Sequence, residues 1–291
     1  MVFRVISIIA FLVLGPILGC LLAGLDRKLS ARMQRRVGPP VLQPYYDVRK
    51  LFEKEKLAPT RFQDFYILVY LVFLIGSGVI FFGGGDLLLV IFTETIGAAF
   101  LIIAGYSSNS PYAEVGAERE LLQVMATEPM LLFTAIGFYM YHGSFSVSML
   151  IAPDKMSFLP MVGIFVGFVY ILTIKFRKSP FDLSMSHHAH QELVRGVTTE
   201  FVGRTMGWIE ISHWYENVFI LGFIFLFFCN GTAVGYIVGA LVCIAAYFLE
   251  VLIDNCFARM KWQFAFKSAW IVALALGMVN IFVLQFIGAY I

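Results

Sequence analysis

Charge is scarce in this sequence. Asp, Glu, Lys and Arg make up 14% of its 291 residues, against 60% hydrophobic. Soluble domains carry roughly 25% charged and about 45–50% apolar residues, so the chain lies far outside the soluble norm. Cysteine is scarce too. Cys20, Cys229, Cys243 and Cys256 form no CxxC pair, so neither a zinc site nor an iron–sulfur ligand set is visible, and they read as small buried hydrophobes. The net charge of +2 says little about partners and gives no sign of nucleic-acid binding. No small-residue cleavage pattern follows the apolar run 2–25, where only Arg4 is charged. That run is too long for a signal-peptide core and reads as a first membrane span.

What the sequence has in quantity is long apolar runs. Candidate spans lie at 2–25, 65–82, 87–104, 121–141, 158–174, 210–229, 232–253 and 268–290. Each reaches or approaches the roughly 20 residues a bilayer requires, the run at 158–174 being the shortest. The expectation is an all-α integral membrane protein of about eight transmembrane helices, a single membrane domain over 1–291.

Basic residues orient it. Of 21 lysines and arginines, all but Arg4 and Lys155 fall at 26–64, 105–120, 175–209 and 254–267. The positive-inside rule makes these four loops cytoplasmic and turns both termini outward. A partner is therefore expected on the cytoplasmic face. Residues 44–56 there suit an amphipathic helix, with Pro44 in its first turn and Tyr45, Val48, Leu51 and Phe52 on one face. Such a helix lies on the membrane or packs on a partner, and the sequence leaves both open.

Acids interrupt the apolar runs. A charge near the bilayer centre costs at least about 2.5–3.5 kcal/mol on insertion scales. Glu94 lies inside the third run and Glu128 in the fourth, followed by Pro129, which frees a backbone carbonyl. Glu210 and Glu216 open the sixth run, while Glu250 and Asp254 close the seventh, four apart on one face. Two readings compete: a chain of protonatable carboxyls, or interfacial acids that reach water or pair with loop cations. Position favours the first for Glu128 and Glu94 and the second for Glu210, Glu216 and Glu250. In 105–120, Glu114 and Glu118 are like charges at i, i+4 beside Arg119 and Glu120. His187, His188 and His190 cluster beside Glu192. Their spacing is weak for a metal, so they read as proton carriers or as contacts with a partner.

Four segments make the chain familiar: DRKLSARMQRRVGPPVLQPYYDVRKL (26–51), GYSSNSPYAEVGAERELLQVMATEP (105–129), SPFDL followed by QELVRGVTTEF, and DNCFARM (254–260). Together they resemble the membrane subunit at the heel of respiratory complex I. They are still more similar to the matching membrane subunit of Ech-type energy-converting nickel–iron hydrogenases. The resemblance covers nearly the whole chain.

It implies a bundle like that of the complex I heel subunit, one that joins a ferredoxin-dependent hydrogenase to its membrane arm and couples hydrogen evolution or uptake to ion translocation. The chain would hold no cofactor and no active site of its own, with the nickel–iron centre and iron–sulfur clusters in partner subunits. Implied partners are the soluble hydrogenase large and small subunits, an iron–sulfur subunit and an antiporter-like membrane subunit, with ferredoxin served through the complex in a prokaryotic cytoplasmic membrane. The resemblance sets Arg119, Glu128, Asp182, Glu192 and Glu200 on a proton path, with Glu120 and Asp254 in the hydrogenase branch and Glu94 added from its span. Arg35, Arg36, Gln43, Asp47 and Lys50 are the docking positions.

The chain also departs from the complex I pattern. Lys175 stands five residues before Pro180, where complex I has glutamate, and SMSHHAHQ replaces the acidic stretch. Rival readings are a quinone-chamber subunit of complex I, the membrane subunit of a formate- or carbon-monoxide-linked hydrogenase, a free-standing transporter and a structural anchor.

Overall fold

The computed structural model describes residues 2–55, 61–151, 156–178, 180–182, 184, 193 and 195–288. The chain runs through α1 (Val2–Met33), α2 (Gln43–Glu53), α3 (Arg61–Phe82), α4 (Leu87–Tyr106), α5 (Pro111–His142), the short α6 (Val147–Leu150) and α7 (Val162–Lys175). A 3₁₀ turn (Gly196–Thr198) leads to α8 (Arg204–Phe228) and α9 (Ala233–Cys256). Last come α10 (Trp262–Val272), a π-helical stretch (Ala273–Met278) and α11 (Val279–Gly288). Among the described residues the extended pairing consists of two isolated bridges, Asp86 with Ser146 and Phe181 with Met260.

Seven helical stretches among the described residues are long and apolar enough to cross a membrane. The eighth expected span, 158–174, is the 14-residue α7. At 1.5 Å per residue it rises about 21 Å, short of the roughly 30 Å hydrocarbon core. Its apolar run starts with residues 158–161, which form a turn around Pro160 before the helix begins.

Helix extends into the expected loops, furthest in the first two. Residues 26–33 continue α1, and 111–120 are the first turns of α5. Those stretches are rich in Ala, Leu, Arg and Glu, polar but good helix formers, so the apolar run ends before the helix does. Each of these 32-residue helices is about 48 Å long, and both project at the end of the bundle that carries the basic loops, called here the basic end.

The core is largely phenylalanine. Phe81, Phe138, Phe168, Phe219, Phe223 and Phe227 pack with Met130 and Leu87 between α3, α4, α5, α7 and α8. Ring pairs such as Phe81–Phe223, at 5.1 Å between centroids, knit α3 to α8. At the opposite end Asp86 caps α4, its Oδ1 accepting from the backbone N–H of Leu88 at 2.8 Å.

The expected amphipathic helix 44–56 is α2, and it packs on α1 and α8. Val48 sits against Cys20 and Trp214 with Phe52 beside them. Tyr45 faces outward at 53% exposure, off the face that the sequence pattern gave it.

Candidate functional site

The shortness of α7 creates the site. The chain stops being helical while still inside the bundle, so the residues that end it are charged and internal. Arg177 adopts a left-handed backbone, φ 54°, as the residue that turns the chain out of α7. Lys178 N–H donates to Thr173 O and Arg177 N–H to Ile174 O, both at 3.0 Å. This is the pair of bonds that usually accompanies a glycine at this position. An arginine in the left-handed region costs roughly 1–2 kcal/mol, a local strain tolerated because the side chain is needed inward.

Lys175 Nζ meets Glu94 Oε1 of α4 at 2.7 Å, and Arg177 Nη2 meets Glu120 Oε1 of α5 at 2.9 Å. Glu94 and Glu120 are 5% and 4% exposed. Glu94 lies twelve residues from the C-terminal end of α4, about 18 Å along the axis, deep in the span. The Ser184 hydroxyl donates to the other oxygen of Glu120.

Glu216 of α8 completes the group. It lines one cavity with Tyr70, Glu94, Glu120, Lys175 and Arg177, and both cations act on it electrostatically. The cavity measures about 20 Å³, enough for about one water. Arg177 Nη1 and Gln123 Oε1, both buried, make no hydrogen bond to another described residue. Arg177 lies past the end of α7. Burial would lower its pKa, but Glu120 and Glu216 outweigh that and hold it above the ordinary arginine range, so it stays a cation.

Three carboxyl groups therefore share one small cavity with two cations. Fully ionised, the group is one negative charge out of balance. Buried charges are tolerated where they are paired, and an unmatched one is costly. One bound proton would balance the cluster.

A third ion pair flanks this group. Arg119 Nη1 donates to Asp182 Oδ2 at 3.0 Å. Asp182 is fixed by the short bridge in which its N–H donates to Met260 O at 3.1 Å and Met260 N–H donates to Pro180 O at 2.6 Å. Gly116 of α5 lies against the 3₁₀ turn, where an added Cβ would come 2.1 Å from the Val197 nitrogen. Gly196 has φ 44°, and a Cβ there would come 1.7 Å from Ser184 O. The close approach joins 105–129 to Ser184 and the turn at Gly196–Val197, and the bridge joins 180–182 to 260. The described parts of three of the four segments that carry the family resemblance are thus neighbours in space.

The expected residues divide accordingly. Glu94, Glu120, Arg119 and Asp182 gather here. Asp254 lies 4.0 Å from Lys178 on the α1–α9 side. Glu128 is half-buried, and no hydrogen bond or ion pair to another described residue holds it. The same is true of Glu200. His187, His188, His190 and Glu192 lie outside the described residues. Of the docking positions, Arg35, Arg36 and Lys50 are exposed. Gln43 and Asp47 are engaged within the chain. Asp47 accepts from Arg27 at 2.6 Å and from Gln43 at 2.9 Å, which ties α2 to α1. Sequence reasoning missed Lys175 and Arg177 as site residues and set Glu216 at the interface.

The model for NADH dehydrogenase matches residues 5–285. The chain belongs to this family. It is 27% identical to hydrogenase-4 component C of Escherichia coli (strain K12), over 93% of this chain and 91% of that one. It is 29% identical to NADH-ubiquinone oxidoreductase chain 1 of Mycosarcoma maydis, over 71% and 68%. The fold matches a chain in the structure of the membrane-bound sulfane sulfur reductase, an archaeal respiratory membrane complex. There the TM-score is 0.85 at 25% identity, over 97% of this chain and 99% of the other. Family members are subunits of multisubunit oxidoreductase complexes. This chain is accordingly a multi-pass membrane subunit of an energy-converting hydrogenase or a related complex.

Proposed function

We propose that this chain is the proton-path and anchoring subunit of a ferredoxin-dependent energy-converting hydrogenase. In this reading partner subunits hold the nickel–iron centre and iron–sulfur clusters and pass electrons from reduced ferredoxin to protons, or run in reverse. This chain carries no redox centre and no active site of its own. Its part is to hold and pass protons in the Glu94–Glu120–Glu216 cavity and to seat the soluble large, small and iron–sulfur subunits, with an antiporter-like subunit beside it in the membrane.

The observation that carries the reading is the excess of one carboxyl over the two cations in that cavity. Such a cluster has two states, proton bound and proton lost, and a partner that biases one of them is coupled to it. Kinship with hydrogenase-4 component C over nine-tenths of both chains supports the hydrogenase branch. Lys175 supports it too, since the resemblance gives complex I a glutamate there.

The distribution of basic residues supports a cytoplasmic basic end in a prokaryotic inner membrane, with termini outward. A membrane-impermeant thiol reagent should then reach the exposed Cys256 from the inner face alone, and labelling from the outer face would reverse the orientation.

Affinity purification of the tagged chain in mild detergent tests the function. Co-purification of nickel- and iron–sulfur-containing subunits that evolve hydrogen from reduced ferredoxin is the expected result. Quinone-reducing partners would move the chain to the complex I branch, and an active single chain would make it a transporter.

A further inference from the structure

The turn after α7 faces two ways. Lys175 and Arg177 enter the cavity already described, while Thr173 and Lys178 turn toward α1 and α9. Glu250 of α9 is there, at 0% exposure, and neither of its carboxyl oxygens makes a hydrogen bond of ordinary geometry to a described residue. The Thr173 hydroxyl of α7 stands beside it without the geometry of an ordinary hydrogen bond.

Lys178 binds Asp26 of α1 and lies 4.0 Å from Asp254, one turn along α9 from Glu250. Tyr247, on the same helix, is committed to Leu22 O of α1 at 3.1 Å. The groups facing Glu250 are thus Asp26 from α1, Thr173 and Lys178 from α7 and its turn, and Tyr247 and Asp254 from α9. Lys178 is engaged by Asp26, with Asp254 at 4.0 Å, and no ion pair joins it to Glu250 among the described residues. A buried carboxylate without a strong donor is expensive, and the same group as a neutral acid is far less so.

We propose that Glu250 binds a proton at the junction of α1, α7 and α9. This is a second proton-holding site, apart from the Glu94–Glu120–Glu216 cavity, and it exchanges with the basic end through Asp254 and Asp26 around Lys178. The proton enters from water at the basic end, passes to the Asp254 carboxylate and then to Glu250, and nothing is oxidised. Asp254 lies nearer the end of α9 than Glu250, so the order follows the helix. Residues 173–178 supply cations to both sites, so a shift of this turn changes the balance at each together. The exchange role rests on the reading of the chain as an ion-path subunit, but occupancy by a proton does not.

Infrared difference spectroscopy on the purified complex separates these. A deuterium-sensitive carbonyl band of a protonated carboxylic acid is expected in the wild type, lost in Glu250→Gln and moved in Glu250→Asp. In proteoliposomes, proton translocation per hydrogen evolved should fall several-fold in Glu250→Gln, with Glu250→Asp retaining part of it. If Glu250→Gln does not assemble, Glu250→Asp carries both readouts. A spectrum in which neither variant alters any such band overturns the site. A band that is altered with translocation unchanged overturns the exchange. A wild-type complex that translocates nothing would sink the ion-path reading while leaving the band to decide the site.

Discussion

Lys175 and Glu94 hold each other in a place where neither would be stable alone. Removing one partner of a buried ion pair costs about 3–5 kcal/mol, whereas replacing both by apolar groups is often neutral. Lys175→Met should therefore lower the thermal denaturation midpoint of the complex sharply, and adding Glu94→Leu should restore most of the loss. A single variant as stable as the wild type would mean that the pair is not buried as described.

The acids of this site were only partly legible in the sequence. Glu94 stood out because it interrupts an apolar run, and Arg119, Glu120 and Asp182 because they fall in motifs. Glu216 did not, because a position near the end of an apolar run reads as interfacial. It is internal because α8 begins at Arg204, well before its apolar run. Arg177 was hidden for another reason: no pattern marks an arginine at a left-handed helix end, where glycine is the usual residue.

At the scale of elements, the legible helix was α2. One of its faces is apolar and the other charged, so the pattern fixed its existence to within a few residues, and its contacts with α1 and α8 decided which apolar residues face in. The spans were legible as spans, but their faces were not. A helix apolar all round carries no stripe to say which side meets a neighbour.

Two contacts between elements are open to test. Gly116→Ala would push a Cβ into the backbone at Gly196–Val197, so the complex should lose assembly or yield. Normal assembly would contradict the close packing of α5 on the 3₁₀ turn. The second contact is Asp47, which lies outside the spans. Burial pushes its pKa up, but the hydrogen bonds from Arg27 and Gln43 outweigh that and hold it below the ordinary 3.8. A depressed carboxyl contributes stability at neutral pH and loses it as pH falls through the folded value. The protection factors of α2 amides, each taken relative to the unstructured rate at the same pH, should thus be high at neutral pH and fall as pH drops below 3.8. In Asp47→Asn they should be lower already at neutral pH, without that acid dependence. Equal protection in the two proteins would show that the Arg27 pair does not anchor α2.

Seen whole, the molecule is a bundle that buries phenylalanine through its middle and concentrates charge at one end. The short α7 lets that end reach inward, and three of the family motifs converge there through a glycine contact and a two-residue bridge. The bundle could be read from hydropathy alone, and the family from the motifs. The junction of α7 with its turn could not, because it depends on where a helix stops, which the apolar run leaves open by several residues.

The central claim is that the unmatched carboxyl of the cavity holds the transferred proton. Glu216→Gln tests it most directly, because it leaves two carboxylates for two cations and so preserves the charge balance and the fold. In proteoliposomes containing the purified complex with reduced ferredoxin, hydrogen evolution should persist while proton translocation is lost. Translocation at the wild-type ratio in a fully assembled Glu216→Gln complex would contradict the account.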